Sequence, residues 1–158
     1  MSAYAEIDIA ASRREVWGIL TDVASWPTWN PAIRHATRDE QFEVGSRFRF
    51  STEIGTLKCR ATALDSPRSF SWKGRVLVLG ERQTWTLDTT ETDTHVAVHA
   101  EMTGLASRLL KGRLTERMQA VVDSVLDLLR LESEVRTVEA KEDAARAAEI
   151  EGRARAHD

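Results

Sequence analysis

The chain has 158 residues, 42% hydrophobic and 30% charged, with a net charge of −3, eight glycines and three prolines. That balance and length suit one globular core with a short appendage, and argue against two domains with a separate cofactor module. The near-neutral charge argues against nucleic acid as the main partner, because phosphate binding leans on a basic face.

The single cysteine, Cys59, cannot form an internal disulfide and suits a reducing compartment. The first residues lack the basic start and apolar run of a signal peptide. No stretch approaches the ~18–20 apolar residues of a membrane span. The expectation is a cytoplasmic chain without integral membrane association.

From Tyr4 to Ala10 the residues alternate, with Ile7 and Ile9 on one face and Glu6 and Asp8 on the other, which predicts a half-buried strand. Ser12 and Glu15 form a capping-box pattern, opening a helix that carries Val16, Trp17, Ile19 and Leu20 at helical spacing. The following segment, through Trp26, Pro27, Trp29 and Pro31, holds too many prolines and aromatic residues for a long element and predicts a broken helical turn.

Several short alternating runs then predict an antiparallel meander. Phe48 and Phe50 alternate with Arg47, Arg49 and Ser51, and Gly55 sits where a hairpin turns. The returning strand places Leu57, Cys59, Ala61 and Ala63 on one face, and Pro67 ends it. Phe70, Trp72 and Gly74 share the next inner face; Gln83, Trp85 and Leu87 share the one after; Val96, Val98, Ala100 and Met102 close the sheet.

After Gly104 the period changes from two to 3.6. Leu109, Leu110, Leu114, Met118, Val121, Val122, Val125, Leu126, Leu128 and Leu129 recur at spacings of three and four, predicting an amphipathic helix from about Ala106 to Leu131. A curved sheet is the only partner in the chain large enough to cover its apolar face. Residues 1–132 are read as one domain. Residues 133–158, charged and alanine-rich with few large apolar side chains, are read as a solvated helical or frayed tail.

This order of elements resembles the START-like helix-grip superfamily, and within it the bacterial polyketide cyclase/dehydrase and lipid-transport (SRPBCC) group. The residues that carry the likeness are Val16-Trp17, Asp22, Trp26-Pro27-x-Trp29-Asn30-Pro31, Gly45-x-x-Phe48, Pro67-x-x-Phe70-x-Trp72-x-Gly74, Trp85-x-Leu87 and Gly104, spanning about residues 3–130. The resemblance implies an α+β helix-grip fold: about seven antiparallel strands wrapped around a long C-terminal helix, with two short helices after the first strand and a cavity between sheet and helix. Members often carry a histidine in the strand that here reads Glu81-Arg82-Gln83-Thr84-Trp85. Gln83 stands at the matching position, so activity that depends on that imidazole is not carried over.

The residues expected to line the cavity are Trp26, Trp29, Phe48, Phe50, Trp72, Gln83, Trp85, Val98, Met102, Leu110, Leu114 and Met118. The small inward residues Cys59, Ala61, Ala63, Gly74 and Ala100 leave room either for a ligand or for close packing of the helix. Trp26 and Trp29 either gate the cavity and stack on a flat ligand or plug the core. Gln83 either orients a ligand or bonds a neighbouring loop.

No catalytic constellation emerges. His95 and His99 lie four residues apart on one strand face, roughly 13 Å at ~3.3 Å per residue, too far for one ion, so no metal is expected. There is no GxSxG elbow, GxGxxG or Walker loop, so neither a serine nucleophile nor a nucleotide cofactor is expected. Cys59 among inward alanines reads as an inert small hydrophobe. The leading expectation is binding of an apolar or aromatic small molecule such as a lipid, quinone or polyketide-like compound. The alternatives are a polyketide cyclase/dehydratase-type enzyme and an interaction module acting through the tail. No oligomeric state follows from the sequence.

Overall fold

The structure, a computed structural model, describes residues 1–104 and 111–155. Strand β1 (Ser2–Ile9) is followed by helix α1 (Arg13–Thr21), a short 3-10 turn and the four-residue helix α2 (Trp26–Trp29). Strands β2 (His35–Arg38), β3 (Arg47–Thr52), β4 (Gly55–Asp65), β5 (Ser69–Val76), β6 (Leu79–Thr89) and β7 (Thr94–Thr103) come next, and helix α3 (Lys111–Arg155) closes the chain. All neighbouring strands are antiparallel, in the order β1-β7-β6-β5-β4-β3-β2. This is the expected α+β helix-grip architecture.

Local chemistry sets the ends of the early elements. The Ser12 hydroxyl accepts the Glu15 main-chain N–H at 3.2 Å and caps α1, which buries Val16, Ile19 and Leu20. Gly55, with φ of 129°, takes the turn between β3 and β4 where a side chain would be strained. One strand escapes the sequence pattern. β2 has only four residues, too few to display alternation, and forms because Ala36 pairs with Phe50 and is buried at the sheet edge.

The predicted inward position of Ala63 is corrected. The β4–β5 register shifts between Ala61 and Ala63, so Ala61 faces Trp72 while Ala63 faces Ser71. Such a bulge inserts one extra residue and flips everything beyond it. Ala63 is exposed, and Leu64 takes the inward place opposite Phe70.

Helix α3 buries Met118, Val122, Leu126, Leu129 and Ser133, spaced by three or four residues. Leu114, Val125 and Leu128 flank this stripe half-buried, and Val121 is 52% exposed. The expected start near Ala106, with Leu109 and Leu110, lies outside the described residues. α3 also covers the free edge of β1, which would otherwise offer unpaired main-chain groups. The Gln119 side chain donates to the Tyr4 carbonyl at 2.8 Å and accepts the Tyr4 N–H at 3.3 Å, and Glu134 accepts the Ala10 N–H at 3.0 Å.

From Val138 to Arg155 every side chain is exposed. Pairs such as Glu149–Arg153 decorate the helix at i, i+4 spacing; exposed pairs of this kind contribute only about 0.3–0.5 kcal/mol each. No described helix is long and apolar enough to cross a membrane.

The β5–β6 turn is Leu77–Val78, with Leu77 at φ 52°. A left-handed conformation costs a residue bearing a Cβ roughly 1–2 kcal/mol, and two-residue hairpin turns usually carry Gly, Asn or Asp. Here they carry large apolar side chains, 84% and 73% exposed.

Two expectations follow from this packing. A Cβ at Gly74 would lie 2.5 Å from the Cys59 sulfur and 3.2 Å from the Trp72 ring. Gly74→Ala should therefore destabilise the fold by about 1–3 kcal/mol, and adding Cys59→Ala should recover part of the loss in a double-mutant denaturation cycle. Deleting residues 139–158 should leave the melting temperature unchanged in calorimetry; a clear drop would show that the exposed end of α3 is docked.

Candidate functional site

The register of β4 to β7 assembles the site in rows on the face that looks toward α3. Cys59, Gly74, Glu81 and Met102 are direct cross-strand neighbours, and so are Ala61, Trp72, Gln83 and Ala100. Leu64, Phe70, Trp85 and Val98 make the next row. The first row is small and mixed in polarity, the second joins an indole to an amide, and the third is apolar.

Three side chains of β6 form a hydrogen-bonded line along these rows. The Trp85 indole donates to Gln83 Oε1 at 3.1 Å, and Gln83 Nε2 donates to Glu81 at 2.6 Å. Both ends of the Gln83 amide are thus engaged within its own strand, which fixes its orientation; the loop partner considered from sequence is not used. Burial pushes the Glu81 carboxyl above the ordinary carboxylate range, and the Gln83 hydrogen bond opposes this only in part. Burial also raises the Cys59 thiol, with the Glu81 charge adding to the effect, so Cys59 is a poor nucleophile. The buried indole N–H groups of Trp72 and Trp29 have no acceptor among the described residues.

Start of α3 and the N-terminus close this corner. The Met1 ammonium donates to the Met102 carbonyl at 3.1 Å, and the Thr115 hydroxyl contacts the Met1 sulfur at 3.4 Å.

The residues named from the sequence fall into distinct surroundings. Trp26, Phe48, Phe50 and Trp72 come together as an aromatic wall, with edge-on contacts of 5.4–5.9 Å between ring centroids. Trp26 donates its indole N–H to the Leu20 carbonyl at 3.0 Å, tying α2 to α1, and Trp29 is buried beside it in sequence. Trp85, Val98 and Met118 are buried, whereas Gln83, Met102 and Leu114 are half-buried. Leu110 lies outside the described residues. Two clefts open elsewhere: one of about 590 Å³ beside Trp17, Phe42 and Leu64, and one of about 910 Å³ on the opposite face of the sheet.

Sequence reasoning missed Glu81. Its signal was present, because it stands two residues before Gln83 and so shares the inward face. A charged residue at the end of a strand reads as solvent-facing until the neighbouring strands are seen to cover it.

A seven-stranded antiparallel sheet gripping a long C-terminal helix, with two short helices after its first strand, defines the START-like helix-grip class. The chain belongs to the family described as polyketide cyclase / dehydrase and lipid transport, which matches residues 1–151. No curated protein matches the sequence.

Among solved structures, the chain is similar to a hypothetical protein from Helicobacter pylori at 15% identity and TM-score 0.73, covering 84% of this chain and 88% of that one. It is also similar to the Zhui aromatase/cyclase from a Streptomyces species, at 16% identity and TM-score 0.71, covering 87% and 95% of the two chains. A START superfamily protein from Mycobacterium smegmatis aligns at 17% identity and TM-score 0.58, covering 78% and 98%.

The raised Glu81 carboxyl gives a signed pH dependence. The folded chain holds this proton to higher pH than the unfolded chain does, so stability is lost as pH rises from the ordinary carboxylate range through the raised value. Glu81→Gln removes the effect. Its melting temperature relative to the parent should be lowest near pH 4 and climb as pH rises through the raised value. A difference that stays flat across thermal melts from pH 4 to 8 would show that the carboxyl is not destabilised by burial.

Proposed function

We propose that the chain binds an apolar or aromatic small molecule bearing an acceptor oxygen, in the class of lipids, quinones and polyketide-like compounds, between the sheet and α3 in the cytoplasm. The observation that carries this reading is the buried Trp72 N–H without an acceptor, beside the half-buried Gln83 and Glu81. A few oriented polar groups in an otherwise apolar wall are what a hydrophobic ligand site requires. An unpaired buried donor costs about 1–3 kcal/mol, which a ligand oxygen recovers on binding. Family membership and the aromatic inner face support the same class of ligand.

The test is native mass spectrometry of protein purified from its own host, combined with thermal shifts against a lipid, quinone and polyketide panel. At least one carbonyl-bearing compound should raise the melting temperature. Trp72→Phe should weaken that compound by roughly fivefold or more, the worth of one buried hydrogen bond, with smaller loss for a hydrocarbon analogue. No bound species and no shift across the panel would sink the reading.

Glu81 favours a second reading, catalysis of cyclisation or dehydration on a polyketide-like chain. Burial raises the proton affinity of the Glu81 carboxyl; in its protonated form it protonates a departing hydroxyl, which leaves as water, and the carboxylate so formed takes the α-proton. Glu81→Gln separates the two readings: it should abolish turnover while leaving binding in place if the chain is an enzyme, and it changes no product profile if the chain is a carrier.

A further inference from the structure

The net charge of −3 conceals a segregated surface. On the face of the sheet turned away from α3, Arg47, Arg60, Lys73 and Arg82 are successive cross-strand neighbours on β3 to β6, and Arg49, Lys58 and Arg75 form a second row beside them. Every directly opposed pair within these rows is cation against cation, an arrangement that destabilises a sheet. Of these seven cations, only Arg47 has a carboxylate within 4 Å among the described residues, Asp39 at 3.9 Å. The rows wall the cleft of about 910 Å³. Glu101 on β7 ends the first row opposite Arg82 and, with Asp39, lines the rim of the cleft; Glu6 and Asp8 lie at the far β1 edge, where they engage His95.

Exposed apolar side chains lie at the strand ends next to these rows. Leu77 and Val78 are 84% and 73% exposed at the β5–β6 turn, and Ile54 is 50% exposed at the β3–β4 turn. The two turns are neighbours, since a Cβ on Gly55 would lie 3.2 Å from the Val76 side chain. Arg75 stands two residues before Leu77, and Lys73 two residues before that. Along β5 the order is therefore apolar tip, the row of Arg49, Lys58 and Arg75, then the row of Arg47, Arg60, Lys73 and Arg82, each about 7 Å behind the last at ~3.3 Å per residue.

We propose that this end of the sheet docks on the surface of an anionic phospholipid bilayer. The order of layers matches the depth order of a membrane surface, where apolar groups enter some 5–10 Å to the acyl boundary and cations meet the phosphates above it. A nucleic acid would satisfy the cations but leave the apolar tips without a partner. The outward positions flanking the cations on β3 to β6 hold Ser51, Thr56, Ser71 and Thr84, with no ring on which bases could stack. The strained Leu77 has no role in the core, and a lipid surface gives its exposed side chain one. This docking is independent of what occupies the inner face.

Vesicle co-sedimentation of the full chain tests the proposal, using neutral phosphatidylcholine vesicles and vesicles carrying 30 mol% phosphatidylglycerol at low salt. The chain should sediment with the anionic vesicles only, and salt should release it. Leu77→Gly with Val78→Thr relieves the turn, so the melting temperature should hold or rise while vesicle affinity falls at least tenfold. Lys58→Glu with Arg75→Glu should also reduce affinity tenfold or more, while Trp72→Phe should bind vesicles like the parent, which separates this proposal from the inner-site reading. The proposal is overturned if the parent does not sediment with anionic vesicles. It is equally overturned if the Leu77/Val78 variant binds them as the parent does, or if a single-stranded oligonucleotide binds more tightly than the vesicles and displaces them.

Discussion

Side-chain parity in one seven-stranded antiparallel sheet governs this molecule. Because successive residues of a strand point to opposite faces, an unbroken register sorts the chain into two surfaces with opposite chemistry. The rows through Trp72, Gln83 and Trp85 face α3, and the rows through Arg60, Lys73 and Arg82 face away from it. The bulge at Ala61/Ala63 is what keeps this sorting intact in β4, by turning Leu64 inward opposite Phe70 after the alanine run. A one-residue slip elsewhere would carry the arginines into the core and the tryptophans into water.

The inner surface is apolar, but its polar members gather in one place. Glu81, Gln83 and Trp85 are joined by hydrogen bonds along β6, and Trp72 stands across from Gln83 on β5. Gly74 makes the corner possible, because any side chain there would strike the Cys59 sulfur. The aromatic rings around this corner pack against one another, so on the proposed reading recognition would fall to the few groups with hydrogen-bonding capacity left over. Binding and proton transfer place different demands on that corner: a carrier needs the Trp72 donor, whereas an enzyme needs Glu81 to change its protonation state.

The two proposals are compatible: an apolar cargo dissolves in bilayers, and a protein that carried one would gain by resting on the bilayer surface. The charged rows and the apolar turns lie at the strand ends near Gly104, whose backbone approaches the Val78 carbonyl. Elsewhere the fold shields its exposed main chain, as where Gln119 and Glu134 cover the β1 edge. The open display of Leu77 and Val78 stands out against that economy.

Sequence alone determined the architecture. Alternation of two and then 3.6, the Ser12 cap, the turn at Gly55 and the stripe through Met118, Val122 and Leu126 are local patterns, and each is readable because its physical cause lies within a few residues. It could not reveal β2, whose four residues are too few to alternate, nor the bulge that exposes Ala63, because both depend on a neighbouring strand. Glu81 was legible only as a phase, and its burial and raised carboxyl come from the strands and helix packed around it. Likewise the arginines and lysines of β3 to β6 are scattered along the chain and become a single cationic surface only through cross-strand register. Periodicity within an element is written in the sequence, but adjacency between elements, and with it the perturbed carboxyl, the unpaired indole and the charged face, is decided by tertiary pairing.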